Sequence, residues 1–171
     1  MIVLITGSNG LLGQKILSRL RDLDVKVIAT SKGDNRNKED GSYMYESLDI
    51  TNKNEINRVL NLYKPNVVFN TAAMTNVDLC EEERFLCDSL NVDAVSYLAD
   101  SCLAIDAHLI HISTDFIFDG DNGPYIEDDI PNPLSYYGES KLKSEKLLYN
   151  HKCKWSILRT IVLFGVADNL S

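Results

Sequence analysis

Two tyrosines stand side by side in Ser135-Tyr136-Tyr137-Gly138-Glu139-Ser140-Lys141, and only Tyr137 has a lysine four residues on; Ser140 holds that place for Tyr136. On a helix, residues four apart share a face, so Tyr137 and Lys141 would project together. A free phenol titrates near 10 and is a poor acid–base group at neutral pH. A neighbouring ammonium favours the phenolate and brings it towards working range. Upstream, Ser113-Thr114-Asp115 ends an apolar run, and the Thr114 hydroxyl could hold a substrate carbonyl. Ligands of open α/β sheets bind beyond the carboxyl ends of the strands, which is where Thr114 should lie.

A second chemistry is written near the N-terminus, where Thr6-Gly7-Ser8-Asn9-Gly10-Leu11-Leu12-Gly13 gives the pattern GxxGxxG. A dinucleotide pyrophosphate needs a tight turn, close approach of backbone and a helix N-terminus aimed at it. Side chains at Gly7 or Gly10 would block the first two, and Gly13 would let the helix pack close to the strand. A plain glycine turn between strand and helix is the alternative, but the motif sits in the context it requires. About 20 residues on, NAD-selective sites usually place Asp or Glu against the ribose 2′-hydroxyl. Here Thr30-Ser31-Lys32 stands instead, with Arg36 slightly further along. A hydroxyl and two cations suit a 2′-phosphate, so NADP(H) is favoured over NAD(H). That Lys32 and Arg36 are merely solvated loop charges stays open.

These groups need elements to carry them. Met1–Thr6, Val25–Thr30, Glu46–Ile50, Asn66–Thr71, His108–Ser113 and Lys154–Thr160 read as short buried strands. Leu11–Leu20 has helical spacing, and Thr51 is expected to cap a helix over Asn54–Tyr63 with Glu55 near the capping-box position. The longest helix is expected from Glu82 to Asp106, with Leu86, Leu90, Val95, Leu98, Cys102 and Ile105 as one apolar stripe. Leu134–Asn150 is the last helix, and residues 31–42 form a polar loop without core-facing side chains. This alternation predicts an α/β fold, a Rossmann-like doubly wound parallel sheet with helices on both faces.

Composition narrows the partners. The 171 residues carry 17 Lys and Arg against 25 Asp and Glu, a net charge of −8, with 44% hydrophobic residues. This is ordinary globular chemistry, with no basic footprint for nucleic acid and no attraction to an anionic membrane surface. No apolar stretch is long enough to span a bilayer. The N-terminus lacks the basic region of a signal peptide. Cys80, Cys87, Cys102 and Cys153 show no metal-ligand spacing and read as free thiols in a reducing cytoplasm.

At the quoted motifs the sequence resembles the extended short-chain dehydrogenase/reductase superfamily, and within it the dTDP-4-dehydrorhamnose reductase family. The carrying segments are ITGSNGLLGQ, SLDITN, KPNVVFNTAAMTNVDLCE, LNVDAV, HISTDFIFDGDNGPYIEDDIPNPLSYYGESKLKSEK and LRT. The resemblance implies that Gly7, Asn9, Gly10, Leu11 and Leu12 cradle the pyrophosphate. It implies that Asp49 and Ile50 flank the adenine, and that Ala72, Ala73 and Met74 line the path to the nicotinamide ribose. Tyr137 would be the proton donor, Lys141 would bind the ribose and tune Tyr137, and Thr114 with Asp115 would touch the sugar. Asn91, in LNVDAV, would fix the helix near the site. The implied reaction is hydride transfer to a 4-keto-6-deoxy sugar carried on a nucleotide.

Two departures stand out. The family often has an aromatic residue after the RT of the last strand, whereas Arg159-Thr160 is followed here by Ile161-Val162. The family also continues well beyond Asn169-Leu170-Ser171. Residues 1–171 are therefore expected to be the NAD(P)-binding Rossmann domain alone, with the substrate-binding domain and the contacts of a possible homodimer outside it. Such a piece is expected to bind NADPH but turn over little. Two other readings remain. A nucleotide-sugar epimerase is one; a dehydratase would place Asp-Glu where Asp115-Phe116 stands. The other is an NADP-binding regulatory subunit without turnover, like that of methionine adenosyltransferase.

Overall fold

The computed structural model describes residues 1–37 and 41–167. Six strands, β1 (Ile2–Thr6), β2 (Lys26–Ser31), β3 (Met44–Ser47), β4 (Val67–Asn70), β5 (His108–Thr114) and β6 (Lys154–Thr160), form one sheet in the order β3-β2-β1-β4-β5-β6. Every pairing is parallel. The chain winds outward from β1 in both directions, and the order reverses between β1 and β4. At that reversal the crossovers diverge and leave a crevice at the carboxyl ends of the strands.

The two faces are covered by different helices. Helix α1 (Leu11–Leu20) lays Leu17, with Ile16 and Leu20, against Val3, Ile5, Val27 and Ala29. On the opposite face α2 (Lys53–Tyr63), α5 (Ala94–Ala104) and α6 (Tyr136–Tyr149) bury Ile56, Leu60, Leu98 and Leu148 against Leu4, Ile28, Val68 and Leu109. Alternate residues of each strand thus serve two cores, which is why the strands read as continuous apolar runs.

Several boundaries differ from expectation for identifiable reasons. The third strand runs Met44–Ser47 rather than Glu46–Ile50, because Asp49 turns the chain by accepting hydrogen bonds from the Thr51 amide and hydroxyl. The cap of α2 is accordingly Asn52, not Thr51; its side chain accepts from the amides of Asn54 and Glu55. Ser31 ends β2 as a buried residue instead of opening a loop. The polar loop expected over 31–42 includes residues 38–40, which lie outside the described residues.

The long helix is also not continuous. It is α3 (Val77–Glu82), α4 (Arg84–Asp88), a π-helical turn (Ser89–Asp93) and α5, with a break at Glu83. The π turn adds a residue and shifts the phase of the apolar stripe, so Leu86 is 45% exposed while Val95, Leu98 and Cys102 are buried. Its Asn91 side chain turns inward. Asn91 accepts from the Met74 amide, and its NH2 donates to the Met74 carbonyl and to Ser140 of α6. One amide thereby ties the loop after β4 to the helix that carries Tyr137 and Lys141.

Gly13 fixes how closely α1 approaches β1. A Cβ there would lie 2.5 Å from the Gly7 carbonyl oxygen and 2.7 Å from Ser8 Cα, both backbone atoms that cannot swing aside. Gly13→Ala should therefore lower stability by about 1–3 kcal/mol, read by urea or thermal unfolding. An unchanged transition would contradict this packing.

Candidate active site

Two adjoining cavities open at the carboxyl ends of the strands, one of about 530 Å³ and one of about 330 Å³. Gly7, Gly10, Thr71 and Ala73 belong to the walls of both, so the glycine turn forms the ridge between them. Gly7 holds φ +66°, and a Cβ on it would meet the Ala72 amide nitrogen at 2.8 Å. Gly10 caps α1 without a side-chain hydrogen bond, and the first turn carries no acidic residue. The positive end of the helix dipole is therefore presented at this ridge.

The smaller cavity gathers Asn9, Ser31, Lys32, Arg36, Asp49, Ile50 and Ala72. Asn9 braces it: its amide donates to Ser31 Oγ, its side chain donates to the Asp34 carbonyl, and its Oδ1 accepts from the Arg36 amide. Lys32 lies at the exposed rim but is engaged there. Its ammonium lies 2.6 Å from an Asp49 carboxylate oxygen. Partial burial pushes the Asp49 carboxyl up, but hydrogen bonds from Lys32 and Thr51 outweigh it and hold Asp49 below the usual range. Of this set, Ser31 turns its hydroxyl to the glycine turn, and Lys32 neutralises the one carboxylate in the pocket.

The larger cavity is lined by Leu11, Leu12, Thr114, Asp115, Tyr137 and Lys141, with Ile161–Leu163 on the far wall. Ser135 caps α6 by accepting from the Gly138 amide, which starts the helix so that Tyr137 and Lys141 fall on its inner side. A Cβ at Gly138 would collide with the Phe116 carbonyl oxygen, so glycine lets α6 close on the turn after β5. Tyr137 comes against the Thr114 side chain there, whose hydroxyl donates to Asp115 and accepts from the Phe116 amide. Phe116 packs edge-on to its ring at 6.0 Å. Met74 lies outside both cavity walls. It packs with Cys80 and Cys87 beneath Tyr136 and Tyr137.

The electrostatics depart from the expectation that Lys141 pulls the Tyr137 phenol down. Burial pushes Tyr137 above its ordinary value, and the neighbouring Thr114 hydroxyl only partly offsets this. The Lys141 ammonium is directed elsewhere, 3.2 Å from Nε2 of His111. Burial pushes Lys141 down to about 8, against the opposing pull of Glu145 and Cys87. Ser113 also lines the cavity, and its buried hydroxyl has no partner among the described residues. An orphaned hydroxyl, a cation poor in acceptors and an uncapped helix end fit a polyhydroxylated anionic cofactor such as a nicotinamide dinucleotide.

The motifs do not single out Asn70, His111 or the pair Glu145–Arg159. Asn70 and His111 lie in the floor of the site, hydrogen-bonded to each other. The available signal is their place in the apolar runs VVFN and HLIHIS, where a buried polar side chain must find a partner. Glu145, fully buried, receives a two-pronged contact from Arg159, which also donates to the Glu127 carbonyl. That contact holds α6, β6 and the segment before α6 together. Among the described residues no group of side chains is arranged to hold a metal, and no helix is long and apolar enough to cross a membrane.

Known proteins resemble this chain in sequence and fold. The family described as RmlD substrate binding domain matches residues 1–170. The dTDP-4-dehydrorhamnose reductase of Aggregatibacter actinomycetemcomitans is 39% identical over 169 residues, covering 98% of this chain and 53% of that protein. Methionine adenosyltransferase 2 subunit beta of Bos taurus is 35% identical over 168 residues, covering 98% and 48%. Among solved structures, a dTDP-4-dehydrorhamnose reductase of Clostridium acetobutylicum superimposes with a TM-score of 0.86 at 39% identity, covering 99% and 56%. That of Bacillus anthracis, in complex with NADP, gives 0.79 at 30%, covering 98% and 56%. The chain thus spans about half the length of the relatives it matches. With the family's match running over almost every residue and the sheet, glycine turn and YxxxK helix in place, the chain belongs to the RmlD substrate-binding-domain family of extended short-chain dehydrogenases/reductases.

Proposed function

We propose that the whole protein is an NAD(P)H-dependent oxidoreductase that reduces the 4-keto group of a nucleotide-activated 6-deoxy sugar, as a dTDP-4-dehydrorhamnose reductase does. The observation that carries this is convergence. The Tyr137 and Thr114 hydroxyls meet on the wall of a cavity whose other end is the bare N-terminus of α1. When bound, the reduced nicotinamide supplies a hydride to the keto carbon. Tyr137 donates the proton that completes the new alcohol. Burial keeps its phenol protonated at neutral pH, which is the state a donor needs. Thr114 holds the Tyr137 hydroxyl and, with Asp115, the sugar.

The backbone from Gly7 to Leu12 cradles the pyrophosphate, with the Leu11 and Leu12 amides at the start of α1 as its donors, since those of Ser8, Asn9 and Gly10 are already engaged. Asp49 and Ile50 face the adenine, and Ala72, Ala73 and Met74 support the nicotinamide side. Lys141 takes the ribose hydroxyls. Ser31, Lys32 and Arg36 surround the adenosine ribose, which favours NADP(H), although a 2′-phosphate would share Lys32 with Asp49. The four buried free thiols suit a cytoplasmic setting. A second reading is favoured by one specific observation, the 35% identity to methionine adenosyltransferase 2 subunit beta. On that reading the same site binds NADP without turnover, in a regulatory subunit.

Tyr137→Phe in the whole protein should lower NADPH oxidation with dTDP-4-dehydrorhamnose by about 10²–10⁴-fold while the NADPH Kd stays within about twofold. Undiminished turnover would contradict the assignment. A wild-type protein that binds NADPH but turns over no 4-keto sugar would favour the regulatory reading. The double substitution Lys32→Ala and Arg36→Ala should raise the NADPH Kd about tenfold more than the NADH Kd. Equal effects on both would remove the NADP preference.

A further inference from the structure

Three neighbouring strands carry a row of polar side chains in register. Thr6 pairs with Asn70 across β1 and β4, and Asn70 with His111 across β4 and β5. All three face α6 and are buried. The hydrogen bonds run one way along the row. The Ala72 amide donates to Thr6 Oγ1, which leaves the Thr6 hydroxyl proton for Asn70 Oδ1 at 2.7 Å. Asn70 then has only its NH2 to offer His111 Nδ1, at 3.2 Å. A neutral imidazole that accepts at Nδ1 carries its proton on Nε2.

That proton has a partner. Ser144 spends its own hydroxyl proton on the Lys141 carbonyl, so its oxygen is free to accept from His111 Nε2 at 3.0 Å. Lys141 Nζ lies 3.2 Å from the same Nε2, which is its one hydrogen-bonding neighbour among the described residues. An N–H cannot accept from an ammonium. The charged groups around Lys141 are otherwise Glu145, one turn along α6 and already engaged by Arg159, and the thiol of Cys87 from α4.

We propose that His111 is a positioning residue: held as the Nε2–H tautomer by Thr6 and Asn70, it denies Lys141 an acceptor until ribose hydroxyls enter the cavity, so that cofactor binding takes up a proton at Lys141. This rests on the dinucleotide reading above. The direction follows from the buried ammonium. In the free protein Lys141 loses its proton as pH rises through about 8; with ribose oxygens as acceptors it keeps the proton to higher pH. Affinity is therefore full below that value and falls above it. Burial and the neighbouring Lys141 hold His111 itself well below its ordinary value, so it stays neutral across this range.

Two measurements on the 171-residue chain test this. Long-range ¹H–¹⁵N correlation of the imidazoles, with His111 assigned by His111→Gln, should show Nε2–H and bare Nδ1 at neutral pH; an Nδ1–H tautomer overturns the proposal without touching the dinucleotide reading. Calorimetric titration with NADPH at about pH 8.5, in buffers of different ionisation enthalpy, should show uptake of a substantial fraction of one proton per site, because a group titrating near 8 is mostly deprotonated there. Asn70→Asp sets an accepting carboxylate against Nδ1, draws the ring proton there and presents a bare Nε2 to Lys141, and should at least halve that uptake. His111→Gln, whose amide can accept from Asn70 and donate to Ser144, should retain it. Binding without proton uptake, or an Asn70→Asp variant that weakens binding equally at all pH values, overturns the coupling alone. No NADPH binding at all overturns the dinucleotide reading and the coupling with it.

Discussion

Lys141, with only 2% of its surface in reach of water, carries the cation on which the rest of the site depends. Placing a cation in such surroundings costs on the order of several kcal/mol unless acceptors surround it. Lys141 is nevertheless held there from every side. Gly138 lets α6 close on the turn after β5, Asn91 ties Ser140 to the loop after β4, and Glu145 with Arg159 locks the end of α6 to β6. None of these contacts gives the ammonium an acceptor. They fix the helix so that the ammonium faces the cavity at the carboxyl ends of β1, β4 and β5.

The same helix placement decides what Tyr137 can do. Its hydroxyl meets Thr114 rather than Lys141, and its surroundings favour the protonated phenol. A site of this kind is poised to give a proton, with the lysine reserved for the ligand that completes it. The two cavities share the glycine ridge, so one extended ligand can lie across both with its anionic middle on the α1 dipole.

Much of this could be read from the residues alone. Short apolar runs alternating with 3.6-residue periodicity determine a doubly wound sheet, and the glycine turn and YxxxK place their chemistry on its carboxyl edge. The misplaced boundaries are those where a side chain bonds its own backbone. Asp49 ends β3 early and Asn52 takes the cap from Thr51; Asn91, within the π turn, bonds instead to the Met74 backbone across the site. Such contacts leave no periodic trace. The tyrosine's environment was harder still, because i, i+4 spacing brings Lys141 to the right face but says nothing of which neighbour its ammonium reaches. His111, on β5 two residues before Ser113-Thr114-Asp115 and singled out by neither the glycine turn nor YxxxK, decides that.

Where a dinucleotide lies decides what Lys141, Tyr137 and the glycine turn do. A crystal structure of the chain with NADPH measures this directly. It should place the pyrophosphate against the glycine turn and the Leu11 and Leu12 amides at the start of α1, and the nicotinamide ribose within hydrogen-bonding distance of Lys141. A dinucleotide bound away from the α1 N-terminus, or a ribose out of reach of Lys141, would contradict it.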